Sequence, residues 1–392
     1  MSHIRKRKTN NGYIWELVVE AGRRPDGSRI QKYKRLEPGV TEKEAQKALL
    51  EFEKSIQDGT YLEPNRKTLK EWLDEWMECC QKPNSSPTTV AGYKHKIDAY
   101  ICAKRGGIGH IPIQKLTPMT IQVFINKLLA HSPSTGKALS PKTVKETYNI
   151  LNASLKSAVL MKVIDENPAE HIRLPKRDKP EIKVLPLDEM DILLKWLKKE
   201  KSDIELPVNL ALSMGLRRGE VLGLKFSDVD YEKGTISIRN TRVQCCDATI
   251  VEKNPKSKKS VRTLYMPETI MKMIKRQENR CRLTQMRKKK YNKGGYVCYM
   301  EEDGKPWIPD SLSKKYAKVI ENLGLTHVTF HGLRHCFASI CLHEGVDIME
   351  ISKLLGHASA SFTLDTYVHL LQDRSDIIAQ AMNNILYKRK VG

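Results

Sequence analysis

The segment that most constrains the fold lies near the middle of the chain, where His171-Ile-Arg-Leu-Pro-Lys-Arg-Asp-Lys-Pro180 places two prolines among basic residues. Proline fixes φ and removes a backbone donor, so this run favours an extended linker and interrupts the helical pattern before it. A chain of 392 residues is also too long for one hydrophobic core. We therefore predict a multidomain protein with domains at 1–64, 65–172 and 183–392 and a linker at 173–182.

The first 64 residues carry the pattern of a small sheet followed by a helix. Residues 13–20 and 29–35 are strand-like, and Pro25-Asp-Gly-Ser28 between them favours a turn. Thr41 and Glu44 form a capping box that predicts a helix to about residue 56. Ten basic and three acidic residues precede residue 36, so the sheet either lies in a DNA groove or is a solvated hairpin.

Residues 65–172 show helical periodicity. Trp72, Trp76 and Cys80 recur at four-residue intervals, which places both tryptophans in a core rather than in a base-stacking role. Thr117-Pro118 and Ser140-Pro141 each combine an N-cap residue with a proline in the first helical position. We predict a helical domain, with helices that begin at Thr68 and that span 88–100, 117–129 and 140–163.

The pattern after residue 183 mixes helices and strands. Met190, Leu193, Leu194 and Leu197 form an apolar helical stripe, and a buried helix over 208–214 ends at Gly215. Strand-like segments at 235–238 and 260–265 flank a lysine-rich turn at 254–259. Short helices follow at 329–343, 347–356 and 373–387. The chain as a whole is predicted to be mainly α with small β parts, and this last domain to be mixed α+β.

The charge of the chain indicates a polyanionic partner. Lys and Arg number 68 against 46 Asp and Glu, a formal net charge of +22, and nucleic acid is the most common partner for such an excess. A ribosomal or membrane-surface role would share that charge. Residues 253–293 hold 15 basic and two acidic residues, which is a local electrostatic footprint.

Several other classes of protein are disfavoured by the sequence. No apolar run approaches the roughly 20 residues that span a bilayer, and the basic N-terminus lacks the apolar stretch of a signal peptide. The nine cysteines include no Cys-x-x-Cys, so neither a zinc site nor a disulfide framework is indicated. There is no phosphate-binding loop of the Gly-x-x-x-x-Gly-Lys-Ser/Thr type. We expect a cytoplasmic protein without metal or cofactor.

One constellation near the C-terminus carries chemistry. His331-Gly-Leu-Arg334-His335 is followed by Leu354-Leu355-Gly356-His357 and then by Tyr367. Arginine clamps a phosphate with a planar fork, histidine exchanges a proton near neutral pH, and a tyrosine hydroxyl can attack phosphorus. A single residue of this kind is usually structural, whereas the ordered set suits cleavage of a nucleic-acid backbone through a covalent link to protein.

These motifs resemble those of the tyrosine recombinases, in particular the integrases of phages and conjugative elements. Gly215-Leu-Arg-Arg-Gly-Glu220, Pro255-Lys-Ser-Lys-Lys-Ser260 and Thr363-Leu-Asp-Thr-Tyr367 complete the family's order. The resemblance implies a catalytic domain at 183–392 with a C-terminal tail helix, and a core-site binding domain at 65–172. It implies an arm-site binding domain of a three-stranded sheet and a helix at 1–64.

The resemblance also assigns roles. Six positions match the family's catalytic residues: Arg217, Lys256, His331, Arg334, His357 and Tyr367. Tyr367 is the implied nucleophile, and Lys258 and Lys259 remain alternatives to Lys256. Arg218 and Tyr387 have structural interpretations.

The activity that the resemblance implies is site-specific recombination of double-stranded DNA at core and arm sites. It proceeds through a 3′-phosphotyrosine and a Holliday junction in a homotetramer, and serves integration and excision of a mobile element. The sequence leaves open whether an excisionase or a host DNA-bending protein takes part. Two alternatives remain at this point: a type IB topoisomerase that relaxes DNA, and a non-catalytic DNA-binding regulator with the same fold.

Overall fold

The computed structural model describes residues 2–9, 12–59, 61–176, 183–253 and 262–356. The chain forms two compact units, the first from Met1–Ser86 with Tyr93–Arg177 and the second from Pro87–Gly92 with Asp178–Gly392. Helices dominate both units and the sheets are small, which confirms the predicted fold class. The domain boundaries at 64, 172 and 182 remain predictions.

The first unit begins with a three-stranded antiparallel sheet, in the order β1-β2-β3. Its strands are β1 (His3–Thr9), β2 (Gly12–Arg23) and β3 (Arg29–Arg35). Helix α1 (Glu42–Gln57) starts at the predicted capping box, where the Thr41 hydroxyl accepts from the Glu44 amide and the Glu44 carboxylate accepts from the Thr41 amide. The implied sheet-plus-helix unit is therefore confirmed. Strand β1 was not evident from the residue pattern, because four consecutive basic residues, Arg5-Lys-Arg-Lys8, mask any alternation of apolar and polar positions.

The two faces of this sheet differ in character. Leu17 and Val19 on β2 are buried with Phe52 of α1. Since successive strand residues point to opposite faces, Glu16 lies on the other face. Its buried carboxylate lies 2.9 Å from Nε of Arg7 and 3.3 Å from Nε of Arg35 on the flanking strands. Glu16 thus offsets part of the positive charge on this face of the sheet, where the arginine side chains are exposed.

The helical part of the first unit follows the predicted capping signals. The helices of this part of the chain are α2 (Leu69–Trp76), α3 (Pro87–Lys96), α4 (Pro118–Ala130) and α5 (Pro141–Leu160). The first six residues of α3 are grouped with the second unit. Thr117 and Ser140 are the N-caps of α4 and α5, each followed by proline, as predicted. Helices α2 and α3 continue into π-helical turns at Met77–Gln81 and Ile97–Ile101. Helix α5 ends earlier than residue 163, because Lys162 has a φ of 55°.

The two tryptophans of α2 are core residues, as predicted. Trp72 and Trp76 are 2% and 1% exposed. Their indole N–H groups donate to the Ser154 carbonyl at 3.1 Å and to the Ser157 hydroxyl at 3.0 Å, both on α5. A buried indole N–H needs a partner, so these bonds fix α2 against α5.

From residue 183 onward, the described part of the second unit contains seven α-helices. They are α6 (Leu187–Lys199), α7 (Glu205–Met214), α8 (Arg218–Gly223), α9 (Glu268–Arg287), α10 (Pro309–Asn322), α11 (Gly332–His343) and α12 (Ile348–Leu355). Helix α7 is buried along most of its length and packs against α11. This buried pair is the base on which the candidate site is built.

The β part of this unit differs from the prediction. The strands are β4 (Val229–Asp230), β5 (Thr235–Ile238), β6 (Thr241–Gln244), β7 (Ile250–Lys253) and β8 (Arg262–Tyr265). The predicted strands at 235–238 and 260–265 are present as β5 and β8, which pair with each other. The β6-β7 hairpin, which lies between them in the chain, was not predicted. Strand β6 is half-buried along its length, and both strands include charged residues, so the hairpin lacks the apolar pattern of core strands. The lysine-rich segment 254–261 lies outside the described residues.

No helix among the described segments is both long enough and apolar enough to cross a membrane.

Candidate active site

The site begins at the end of α7, where Gly215 adopts a left-handed φ of 63°. A Cβ at this position would approach Cδ1 of Phe337 to 2.6 Å and Cδ2 of Leu355 to 2.7 Å, so the turn has no room for a side chain. Arg217 follows as the residue before α8, and its amide donates to Glu220 Oε2 at 2.9 Å. The tight turn at Gly215 therefore fixes the position of Arg217 between the end of α7 and the start of α8.

The Arg217 guanidinium is anchored on two sides. Its Nη1 donates to Glu220 Oε1 at 3.0 Å, and its Nη2 donates to the Gly356 carbonyl at 2.8 Å. The side chain nevertheless keeps 37% of its surface exposed. Arg217 is thus held in one orientation and remains accessible to a ligand.

Arg334 lies in the first turn of α11 and is 2% exposed. Its Nη1 donates to the Gly215 carbonyl at 2.8 Å and its Nη2 to the Leu355 carbonyl at 2.7 Å. Both acceptors stand at helix C-termini, where carbonyls lack intrahelical partners and carry partial negative charge. These acceptors help to stabilise the charge of a largely buried guanidinium.

A third arginine reaches the same place from the start of β8. Arg262 donates through Nη1 and Nη2 to the two carboxylate oxygens of Glu220, at 2.9 and 2.8 Å. Its Nε donates to the Leu354 carbonyl at 2.9 Å. The consecutive carbonyls of residues 354, 355 and 356 therefore each accept from a different arginine, namely Arg262, Arg334 and Arg217. We call this arrangement the carbonyl clamp.

Glu220 is the only acidic partner that these contacts give to Arg217 and Arg262. The carboxylate is 5% exposed. Burial acts to raise its pKa, but the hydrogen bonds and charge of Arg262, followed by those of Arg217, outweigh burial and lower the pKa below its usual value. Glu220 is therefore ionised at neutral pH. The sequence motifs assign no role to Glu220 or Arg262, although Glu220 closes the Gly-Leu-Arg-Arg-Gly-Glu motif.

His331 immediately precedes α11, and Arg334 follows three residues later in the first turn of that helix. Although its ring keeps access to solvent, crowding by neighbouring protein atoms lowers its pKa, and the positive charges of Arg334 and Arg217 act in the same direction. The ring packs edge-to-face on His335, with ring centroids 5.2 Å apart. His331 is therefore neutral near pH 7 and able to accept a proton.

The adjacent arginine, Arg218, points elsewhere. Its Nη1 donates to the Ser313 hydroxyl at 2.8 Å, and to the Pro309 carbonyl and the Asp310 carboxylate at 3.2 Å. These groups belong to the start of α10. Arg218 is thus bound to α10, whereas Arg217 is bound to Glu220 and to the end of α12.

Helix α12 ends in the Leu354-Leu355-Gly356 part of the predicted motif. The Asp347 carboxylate caps it by accepting from the amides of Met349 and Glu350, and Gly356 ends it with a φ of 64°. The predicted helix and its stop are therefore confirmed. His357 and Tyr367 lie outside the described residues, as do Lys256, Lys258, Lys259, Tyr387 and the predicted helix at 373–387.

The structure thus brings three of the six predicted residues into one region: Arg217, His331 and Arg334. The other three lie outside the described residues: Lys256 falls in the chain between β7 and β8, and His357 and Tyr367 follow α12. Within the described segments, no group of three or more His, Cys, Asp or Glu side chains is arranged to hold a metal ion.

Comparisons with known proteins agree with this geometry. The model of the phage integrase family matches residues 183–374, and that of the phage integrase N-terminal SAM-like domain matches residues 68–129. The chain is 27% identical to a XerC-like tyrosine recombinase of Caldanaerobacter subterraneus subsp. tengcongensis, over 96% of this chain and 97% of that protein.

Two solved structures share the fold. The Tn1549 transposon integrase in complex with circular intermediate DNA aligns with a TM-score of 0.65 and 17% identity, over 80% of this chain and 99% of that one. A lambda integrase tetramer bound to a Holliday junction aligns with a TM-score of 0.54 and 18% identity, over 91% of this chain and 96% of that one.

The match to a SAM-like integrase domain, followed by the match to the phage integrase family, defines a DNA-recombining enzyme. The chain belongs to the phage integrase family, the tyrosine recombinases. It is a tyrosine-type site-specific recombinase of the integrase kind that mobile elements carry.

Proposed function

We propose that this recombinase cleaves and rejoins double-stranded DNA through a 3′-phosphotyrosine at Tyr367, and so integrates and excises a mobile element. The observation that carries the proposal is the carbonyl clamp, because it fixes two arginines at the end of α12, directly before His357 in the chain. We place the activity in the cytoplasm, where the attachment sites are.

Arg217 and Arg334 bind the non-bridging oxygens of the scissile phosphate. A phosphodiester carries one negative charge and repels an attacking phenolate, and the charge grows in the pentavalent transition state. Guanidinium groups that are already oriented stabilise that charge without reorganisation. Arg217 is suited to this role because it is anchored yet partly exposed.

Two proton transfers accompany cleavage. Tyrosine has an ordinary pKa of about 10, so its hydroxyl needs a base. His331 takes this proton, and its lowered pKa keeps the ring in the accepting form. His357 donates a hydrogen bond to the phosphate, and Lys256 protonates the leaving 5′ oxygen.

Rejoining reverses these steps. The phosphotyrosine conserves the energy of the broken bond, so a 5′ hydroxyl of a second duplex displaces Tyr367 without ATP. One exchanged strand pair gives a Holliday junction, and a homotetramer on DNA completes the second exchange. The lambda integrase tetramer on a Holliday junction supports this assembly by analogy of fold.

DNA binding is divided along the chain. Residues 65–172 bind the core site next to the cleavage point, supported by the SAM-like domain match at 68–129. Residues 1–64 bind arm sites through the basic sheet. An excisionase and a host DNA-bending protein are further candidate partners.

The decisive experiment traps the covalent intermediate. Suicide half-sites from the ends of the element are incubated with the full chain, and adducts are resolved on a denaturing gel. Wild type and Tyr387→Phe should both form an adduct, whereas Tyr367→Phe should bind the half-site but form none. Attachment at another residue, or no adduct from wild type, would reject the proposal. Relaxation of plasmids without any specific site would instead favour a topoisomerase.

The choice of general acid has its own test. Lys256→Ala should slow cleavage of ordinary DNA and recover on a 5′-bridging phosphorothiolate, because sulfur leaves without a proton. Lys258→Ala and Lys259→Ala serve as matched comparisons. Recovery confined to either of those variants would move the role from Lys256.

A further inference from the structure

We propose that Arg262 is a positioning residue for DNA cleavage, and that it keeps the charge of Arg217 available to the scissile phosphate. The inference rests on the proposed role of Arg217. Arg262 does not itself touch the DNA in this scheme. It acts through Glu220 and through the end of α12.

All three guanidinium nitrogens of Arg262 donate a hydrogen bond. Two nitrogens pair with the two oxygens of Glu220, and Nε holds the Leu354 carbonyl. The side chain is 16% exposed, and a Cβ at Gly356 would meet its Nη1 at 3.1 Å. Arg262 therefore fills the space between the start of α8 and the end of α12.

Charge balance explains why two arginines share one carboxylate. A buried, ionised Glu220 needs a cationic partner. If Arg217 were the sole partner, both of its terminal nitrogens would pair with the Glu220 carboxylate and would be less available to bind a phosphate. Instead, Arg262 makes the two-bond pairing with the carboxylate, and Arg217 gives Glu220 one side-chain bond. The three groups together keep one positive charge, which matches one phosphodiester.

The clamp gives Arg262 a second effect. The Leu354 carbonyl that it holds is next to the two carbonyls that bind Arg334 and Arg217. Loss of the Arg262 contact frees the end of α12 to shift, and both catalytic arginines then lose a fixed acceptor. A lysine retains the charge but has no planar fork to make the three bonds at once.

The test compares single-turnover cleavage of half-sites that carry an ordinary or a neutral methylphosphonate scissile linkage. Arg262→Lys should slow cleavage of the phosphate by about 10–100-fold, since hydrogen bonds to a charged group are lost. Half-site affinity should change by less than about twofold. The loss should shrink on methylphosphonate, because a neutral linkage depends less on the charge of Arg217. An equal loss on both linkages, or no loss, would overturn the inference.

Two further variants separate positioning from folding. Arg218→Lys changes another well-bonded arginine of the same unit, and should cleave both linkages at close to the wild-type rate. Arg262→Gln should be severely impaired, and adding Glu220→Gln should restore part of its rate by removing the negative charge that would otherwise draw Arg217 away from the phosphate. Failure of that restoration would count against the charge argument. If wild type forms no adduct at all, the proposed function fails first and the inference falls with it.

Discussion

At the scale of single residues, Arg217 and Arg334 both donate to a carbonyl at the end of α12, but their surroundings differ. Arg334 is buried and bonded to carbonyls of two helix ends, whereas Arg217 is partly exposed. The motif predicted that both are catalytic, but only the structure shows that one also holds the fold together. Removal of each should therefore have different consequences.

Arg217→Ala and Arg334→Ala should each reduce cleavage by about 10²–10³-fold, or about 2.7–4 kcal/mol of transition-state stabilisation. Arg334→Ala should also lower the thermal midpoint of unfolding, because it leaves the Gly215 and Leu355 carbonyls without that donor. Single-turnover cleavage and thermal unfolding of the two variants test this. Equal destabilisation by both substitutions would contradict it.

His335 gives the fold a dependence on pH. Burial, followed by the charges of His331 and Arg334, lowers the pKa of His335 from 6.5 to about 4. The unfolded chain therefore binds this proton more readily, and stability that is present above pH 6.5 is lost as the pH falls towards 4. Replacing His335 with Gln should flatten this part of the profile, measured by denaturant unfolding between pH 7 and 4.5. An unchanged slope would exclude His335 as its source.

At the scale of elements, helix ends were the most predictable features of the chain. Thr41, Thr117 and Ser140 cap helices as expected, because capping depends on residues within one turn. Gly215 and Gly356 end helices for a similarly local reason. Such local signals are sufficient to place Arg217 just after a helix end and to mark where α12 stops.

Elements that depend on long-range packing were missed. Helix α9 buries only Ile270, Met273, Ile274 and Cys281, so its stripe was obscured by a dense run of basic residues. Helix α10 and the β6-β7 hairpin were missed as well. The pair Glu220–Arg262 joins α8 to β8, and its geometry follows from tertiary packing that no spacing in the sequence encodes.

Gly215 is the element-scale position where substitution should matter most. Gly215→Ala should cost about 2–3 kcal/mol, because a left-handed alanine is strained and its Cβ meets Phe337 and Leu355. Cleavage should fall too, since the Gly215 carbonyl holds Arg334. Gly345→Ala is the matched control: its φ is 85° with nothing within 4 Å of the added Cβ. It should cost about 1–2 kcal/mol and leave cleavage intact.

At the scale of the whole molecule, charge is the property that the sequence predicts most directly. The excess of +22 favours DNA, and the sheet of the first unit carries part of it on an exposed face. Arg5 and Arg29 lie on the face opposite α1, whereas Lys43 and Lys47 lie on α1 itself. The structure thus separates charges that composition alone cannot.

Arg5→Gln with Arg29→Gln should weaken binding to arm-type DNA and reduce the slope of log affinity against log salt by about one per lost phosphate contact. Core half-site cleavage should be retained. Lys43→Gln with Lys47→Gln removes the same charge from α1 and serves as the control. If both pairs weaken arm binding equally, the sheet face is not the contact surface.

The carbonyl clamp has a consequence for how such a chain tolerates sequence drift. Its acceptors are main-chain atoms of residues 354–356, so Leu354 is replaceable by many residues at little cost. Adding or deleting one residue within α12 would instead rotate all three acceptors by about 100°. Point changes at Leu354 should be nearly silent, whereas single-codon insertions in α12 should abolish recombination.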